Sequence, residues 1–145
     1  FASTSTKDDR EFGKDSTQNI RDTGYFCVNI VEYAARDVMN KTSATLPADT
    51  DEFDHAGIEK AECNLIPCSR VANAPASFEC RMTQIVTLEG EANKLVLGEV
   101  IGVHMRDDCL TDGMFDVTKF QPLTRLGYRD YSVIRDVFSL ARPDD

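Results

Sequence analysis

Hydrophobic and polar positions change period several times along the 145-residue chain. FASTST, residues 1–6, reads as a strand, and KDDREFG, residues 7–13, as a charged loop. Asp15 or Ser16 is then placed to cap a short helix, with Gln18 positioned for a capping-box return from Asp15. Gly24 is placed to end it. YFCVNIV, residues 25–31, is strongly β-favouring, with Phe26, Val28 and Ile30 on one face. Helical spacing follows at Val31, Ala34, Ala35, Val38 and Met39. A further short helix is predicted over residues 51–56, stopped by Gly57.

The second half is richer in strand patterns. In ASFECRMTQIVTLEG, Phe78, Cys80, Met82, Val86 and Leu88 share a face, while Glu79, Arg81 and Thr83 point away. KLVLGEVIGVHMRD predicts a second long strand, in which Gly98 and Gly102 permit a bend or a bulge. DGMFDVTKFQPLTRLG is turn-rich, and a last short strand is expected near residues 131–133. Long alternating strands with internal glycines suggest a barrel, which removes sheet edges. There is no βαβ rhythm, no GxGxxG, no P-loop and no internal repeat. The expected architecture is one mainly β domain over residues 1–145, a barrel with short peripheral helices.

Charge narrows the function classes. The formal net charge of -9 repels a nucleic-acid backbone, so no nucleic-acid partner is expected. A local basic pocket could still hold one small anion. The mean hydropathy of -0.34 fits a folded soluble chain. No apolar run approaches the roughly 18 residues of a spanning helix, so no membrane association is expected. The five cysteines, Cys27, Cys63, Cys68, Cys80 and Cys109, lack the spacing of a disulfide framework or a zinc site. Reduced thiols in a cytoplasmic protein are the simpler reading. Cys80 reads as core. The dense acids Asp49, Asp51, Glu52 and Asp54 lack the spacing of a calcium loop and read as a solvated face.

Five stretches, in order, carry a resemblance. They are KDSTQNIRDTGYFCVNIV, MNKTSATLPADTDEFDHAGI, SRVANAPASFECRM, LVLGEVIGVHMRDDCL and PLTRLGYRDY. Together they resemble the flavin reductase-like family with the FMN-binding split barrel, over nearly the whole chain. The resemblance implies a split β-barrel of the Greek-key, FMN-binding type. It also implies bound FMN, NAD(P)H as co-substrate, a homodimer and a possible monooxygenase partner. Three departures stand out. Ser16 replaces the family's usual threonine, and the loop before Lys14 is longer. The segment that members carry before FASTST is missing, so a domain shortened at its N-terminus is expected, with its flavin affinity in question.

Local chemistry gives the resemblance a site. A helix N-terminus offers free N–H groups and positive dipole character to a phosphate. Lys14 adds a charge, and Ser16, Thr17 and Asn19 add polar groups. Asp15 suits capping or the ribityl hydroxyls. Ser3, Thr4 and Ser5 lie on the strand that, in the family, runs beside the flavin. The competing reading of Lys14–Asn19 is a capped surface helix with a solvated lysine. His104 reads either as a pocket residue or as a packed strand histidine. Arg70, Arg125 and Arg129 read as phosphate partners or as surface ion pairs. Asn40, Thr42 and Ser43 read as helix termination or as an approach to a partner's flavin. Tyr128 and Tyr131 read as core or interface. No catalytic acid or base is expected, because hydride transfer is carried by the cofactor. Two functions remain open: an NAD(P)H-dependent flavin reductase, or an FMN-binding electron-transfer or sensor protein without that activity. A fragment that keeps the dimer interface but no flavin is a third.

Overall fold

A computed structural model describes residues 1–4, 13–47, 49–90 and 92–144. Ser5 and nearly all of the KDDREFG loop lie outside the described residues. The elements in chain order begin with β1 (Ala2–Ser3), α1 (Asp15–Thr23), β2 (Tyr25–Asn29), α2 (Arg36–Thr42) and α3 (Glu52–Ala56). They continue with β3 (Lys60–Glu62), β4 (Ser69–Val71), β5 (Ala76–Thr87) and β6 (Lys94–Met105). The last are β7 (Leu110–Thr111), β8 (Met114–Phe115), α4 (Val117–Phe120), β9 (Leu123–Arg125) and β10 (Tyr131–Val133). The class is mainly β with short helices, as expected.

The centre is an antiparallel sheet ordered β1-β6-β5-β2. Its spine is the β5–β6 hairpin, paired from Ala76↔Met105 to Thr87↔Lys94. The β-branched and aromatic residues of these two segments favour a pleated, half-buried surface. Gly98 is needed for packing: a Cβ there would lie 2.6 Å from Cζ of Phe26. The Phe26 ring in turn meets Phe1 edge-on, with centroids 5.7 Å apart. Three two-stranded pairs, β3–β4, β7–β8 and β9–β10, surround the sheet.

The simple alternation expected for β5 is broken. The pairing with β6 shifts between Glu79 and Cys80, and again between Met82 and Gln84. At the first shift the unpaired residue is Ile101 on β6, and at the second it is Thr83 on β5. From Ser77 to Arg81, β5 pairs with β2 without a break, so Glu79 and Cys80 lie on opposite faces. Both are buried, 1% and 4% exposed, because the loop carrying the Asn64 and Leu65 amides covers the Glu79 face, which was expected to face solvent. β2 is also shorter than expected, and its faces are not apolar against polar. Val28 is exposed, while Asn29 is half-buried. The Asn29 side-chain oxygen accepts from the Val71 amide (3.0 Å) and the Ser77 hydroxyl (2.8 Å), pinning β2 to β4 and β5. The helical spacing that begins at Val31 becomes a 3-10 turn, Tyr33–Ala35, followed by α2.

Candidate functional site

Helix α1 starts one residue earlier than its acids and hydroxyls suggested. Lys14 is the N-cap, in extended conformation, and Asp15 is already helical. The Lys14 carbonyl accepts from the amides of Thr17 (3.0 Å) and Gln18 (3.1 Å). No capping box forms. The Gln18 amide donates instead to Asp22 at 2.8 Å. Gly13, just before the cap, has φ 95°, a left-handed conformation that suits glycine. Gly24 ends the helix as expected, with φ 79° and its N–H on the Ile20 carbonyl.

The expected donors do not all converge. Thr17 and Ile20, one helical turn apart, face inward and are buried. Lys14, Ser16 and Asn19 are exposed, and Asp15 is half-buried. Thr17 has no exposure to solvent, and its Oγ1 has no hydrogen-bond partner among the described residues. A buried hydroxyl without a partner costs about 1–3 kcal/mol, so it marks a place where a ligand could complete the structure. Ser3 lies apart on the edge strand β1, buried and registered opposite Lys94, and Thr4 follows it, exposed. Ser5 lies outside the described residues.

Other sequence candidates take structural roles. His104 hydrogen-bonds through Nε2 to Glu79. The Glu79 carboxylate also accepts from the amides of Asn64 (2.7 Å) and Leu65 (2.6 Å). Burial works against the charge, but these three donors outweigh it and hold Glu79 below the usual carboxylate range. Arg125 stacks over Tyr131, 4.7 Å from the centroid, and donates to the Tyr128 carbonyl. Arg70 donates from Nη1 to Ala72 at 3.2 Å. Thr42 and Ser43 donate their hydroxyls to Met39 and Asn40 carbonyls, each at 2.7 Å, which fits helix termination. Tyr128 is 95% exposed, outside the core of this chain. Asp51 and Asp54 pair with Lys60, and no metal-holding cluster occurs among the described residues.

A cavity of about 510 Å³ opens between the end of β2, α2, α3 and the β3–β4 hairpin. That is the size of a small-molecule site. Val38, Met39, Phe53 and Ile58 give it apolar walls, and Asn29 and Glu59 are among its polar groups. One flank is held by Glu32, which pairs through both oxygens with Arg106 at 2.9 and 3.3 Å.

Residues 12–124, from the loop before α1 through β9, match the flavin reductase like domain. The chain belongs to the flavin reductase-like family. A curated relative, an uncharacterized protein of Deinococcus radiodurans, is 35% identical over 133 residues, covering 89% of this chain and 58% of the relative. An uncharacterized protein of Halalkalibacterium halodurans is 25% identical, over 90% of this chain and 64% of its own. The chain thus spans about three fifths of the length of these relatives. Among solved structures, nitrilotriacetate monooxygenase component B from Bacillus cereus superposes with a TM-score of 0.86 at 24% identity, covering 96% of this chain and 69% of that one. Flavoredoxin of Desulfovibrio vulgaris gives 0.79 at 18% identity, over 92% and 72%. At such identities the likeness establishes the fold, a split barrel.

Two features of this flavin reductase-like chain escaped the sequence pattern. The Glu79 hub is buried by the distant loop that carries the Asn64 and Leu65 amides, which alternation along β5 does not reveal. The cavity is assembled from three separated segments, and only their three-dimensional packing shows it.

Proposed function

We propose that this flavin reductase-like chain binds FMN with its phosphate at the N-terminus of α1, and acts as an NAD(P)H-dependent flavin reductase. The observation that carries the reading is the buried, unpartnered Thr17 hydroxyl in the first turn of a nine-residue helix. The first N–H groups of a helix have no intrahelical carbonyl to bond, and they favour an anion. Thr17 donates its hydroxyl to a phosphate oxygen, and Lys14 supplies a full positive charge at the mouth. Ser16 and Asn19 are exposed and contact the ligand only from the rim. Asp15 is repelled by phosphate and serves the ribityl hydroxyls or the helix start.

A bound FMN supplies a ring that accepts hydride from a reduced nicotinamide. The chain's own work is to hold and orient that ring and to shield it from water, which requires no acid or base. The apolar cavity offers walls suited to a flat ring, while its carboxylates disfavour a phosphate there. Exposed apolar residues, including Val100, Val103 and Phe138, support a homodimer that covers them. A partner monooxygenase would consume the reduced flavin.

Titration of the purified chain with FMN, followed by NADH and NADPH oxidation, tests the reading. Saturable flavin binding with flavin-dependent oxidation is expected. Flavin binding without oxidation would leave the electron-transfer or sensor function instead. Absence of flavin binding would remove both.

A further inference from the structure

The cavity between β2, α2, α3 and the β3–β4 hairpin has a sign of charge as well as a shape. Val38, Met39, Phe53 and Ile58 face a space of about 510 Å³. Three carboxylates, Glu32, Glu52 and Glu59, line the same space, and no lysine, arginine or histidine is among the described residues that line it. Cations and hydroxyls close by are already engaged. Arg106 is held by Glu32 and, at 2.8 Å, by Asp108. The Thr42 hydroxyl donates to the Met39 carbonyl at 2.7 Å. Lys60 follows Glu59 in the chain, but its Nζ is taken by Asp51 (2.5 Å) and Asp54 (3.3 Å). Glu52 and Glu59 have no such match. Neither enters an ion pair among the described residues, and the Glu59 carboxylate meets the Asn73 amide only at 3.5 Å.

An anion entering this space would meet like charges and no free cation, whereas a cation would meet two unmatched carboxylates beside low-dielectric walls. The aromatic wall favours the same sign. Lys60 Nζ lies 5.6 Å from the Phe53 ring centroid, so that ring already accepts a cation.

We propose that the cavity binds a small organic cation, a flat apolar body carrying a protonated amine. The ring lies against Val38, Met39 and Phe53, and the ammonium is drawn to the carboxylates of Glu52 and Glu59. Charge-assisted hydrogen bonds to these carboxylates replace those the ammonium loses to water. The inference does not depend on the flavin reading, which places a phosphate at α1, where Lys14 is the cation.

The test compares two probes with the same ring and opposite charge, tryptamine and indole-3-propionate, at neutral pH on the flavin-free chain. The chain contains no tryptophan, so the indole fluorescence of the probe reports binding directly. Tryptamine should bind saturably, one per chain, and about tenfold or more tighter than indole-3-propionate. Glu52→Gln and Glu59→Gln should each weaken tryptamine about 2- to 5-fold without weakening indole-3-propionate. Glu89→Gln removes an exposed acid beyond the end of β5 and should change neither probe. Equal affinity for the two probes, tighter binding of indole-3-propionate, or no saturable tryptamine binding would overturn the inference. So would an effect of Glu89→Gln as large as that of the cavity variants, which would mean diffuse surface charge. Thermal melts check that each variant is folded, and the two-probe comparison on the unaltered chain decides where one is not. FMN titrated separately reports on α1, so the two readings fail independently.

Discussion

Replacing Thr17 with valine should move flavin affinity and stability in opposite directions. The Thr17 side chain has no solvent exposure, and its Oγ1 has no partner among the described residues. Valine keeps the β-branched shape and the helix propensity but removes the hydroxyl. In the flavin-free chain this relieves an unpaired polar group, so stability should hold or rise by about 1 kcal/mol. At this chain length that is a thermal shift of roughly 2–4 °C. With FMN the variant loses a hydrogen bond to a charged phosphate, worth about 1.5–3 kcal/mol. The dissociation constant should therefore rise about 10- to 150-fold. Riboflavin, which lacks the phosphate, provides the control and should bind both forms equally. Fluorescence titration with each flavin and a thermal melt give the three readouts. Equal losses for FMN and riboflavin, or a lower melting temperature with FMN affinity intact, would refute the phosphate seat.

Three other outcomes can be measured on the same protein. Glu79→Gln should cost about 2–4 kcal/mol in urea unfolding, because a neutral amide cannot satisfy three donors as a carboxylate does. Glu79 titrates below its ordinary value of 4.5, so its contribution is present above that value and is lost as pH falls through the depressed one. The urea midpoint of the unaltered chain should thus fall more steeply between about pH 5 and pH 3 than that of Glu79→Gln. Gly98→Ala should destabilise by about 1–3 kcal/mol, because its Cβ would lie 2.6 Å from the Phe26 ring and 3.2 Å from the Arg81 carbonyl; an unchanged melting temperature would mean the ring moves freely.

What could be read from the chain alone was the local chemistry. Gly24 and Gly57 end their helices in left-handed conformation, and Asp51 caps α3 by accepting from the Phe53 amide. The strand at Tyr131–Val133 also fell where its pattern placed it. These features are decided within a few residues. Thr17 stood among the expected donors, yet sequence could not separate it from Ser16, because only packing against the sheet tells which hydroxyl is inside. The start of α1 was misjudged by one residue because the Lys14 carbonyl, not an acidic side chain, takes the first amides. Glu79 looked solvent-facing for a different reason. Period-two counting tells which face a residue takes, but not which distant segment covers that face.

The grip of Glu79 on the hairpin has a consequence for how this loop can vary. The carboxylate reads main-chain N–H groups only, and the side chains of Asn64 and Leu65 are exposed. A saturation library over positions 64 and 65 should therefore tolerate almost any side chain and reject proline, which has no N–H to offer. Insertions between Cys63 and Cys68 should be tolerated worse than substitutions, since they would move both amides off a fixed acceptor. The loop is free in composition and constrained in length.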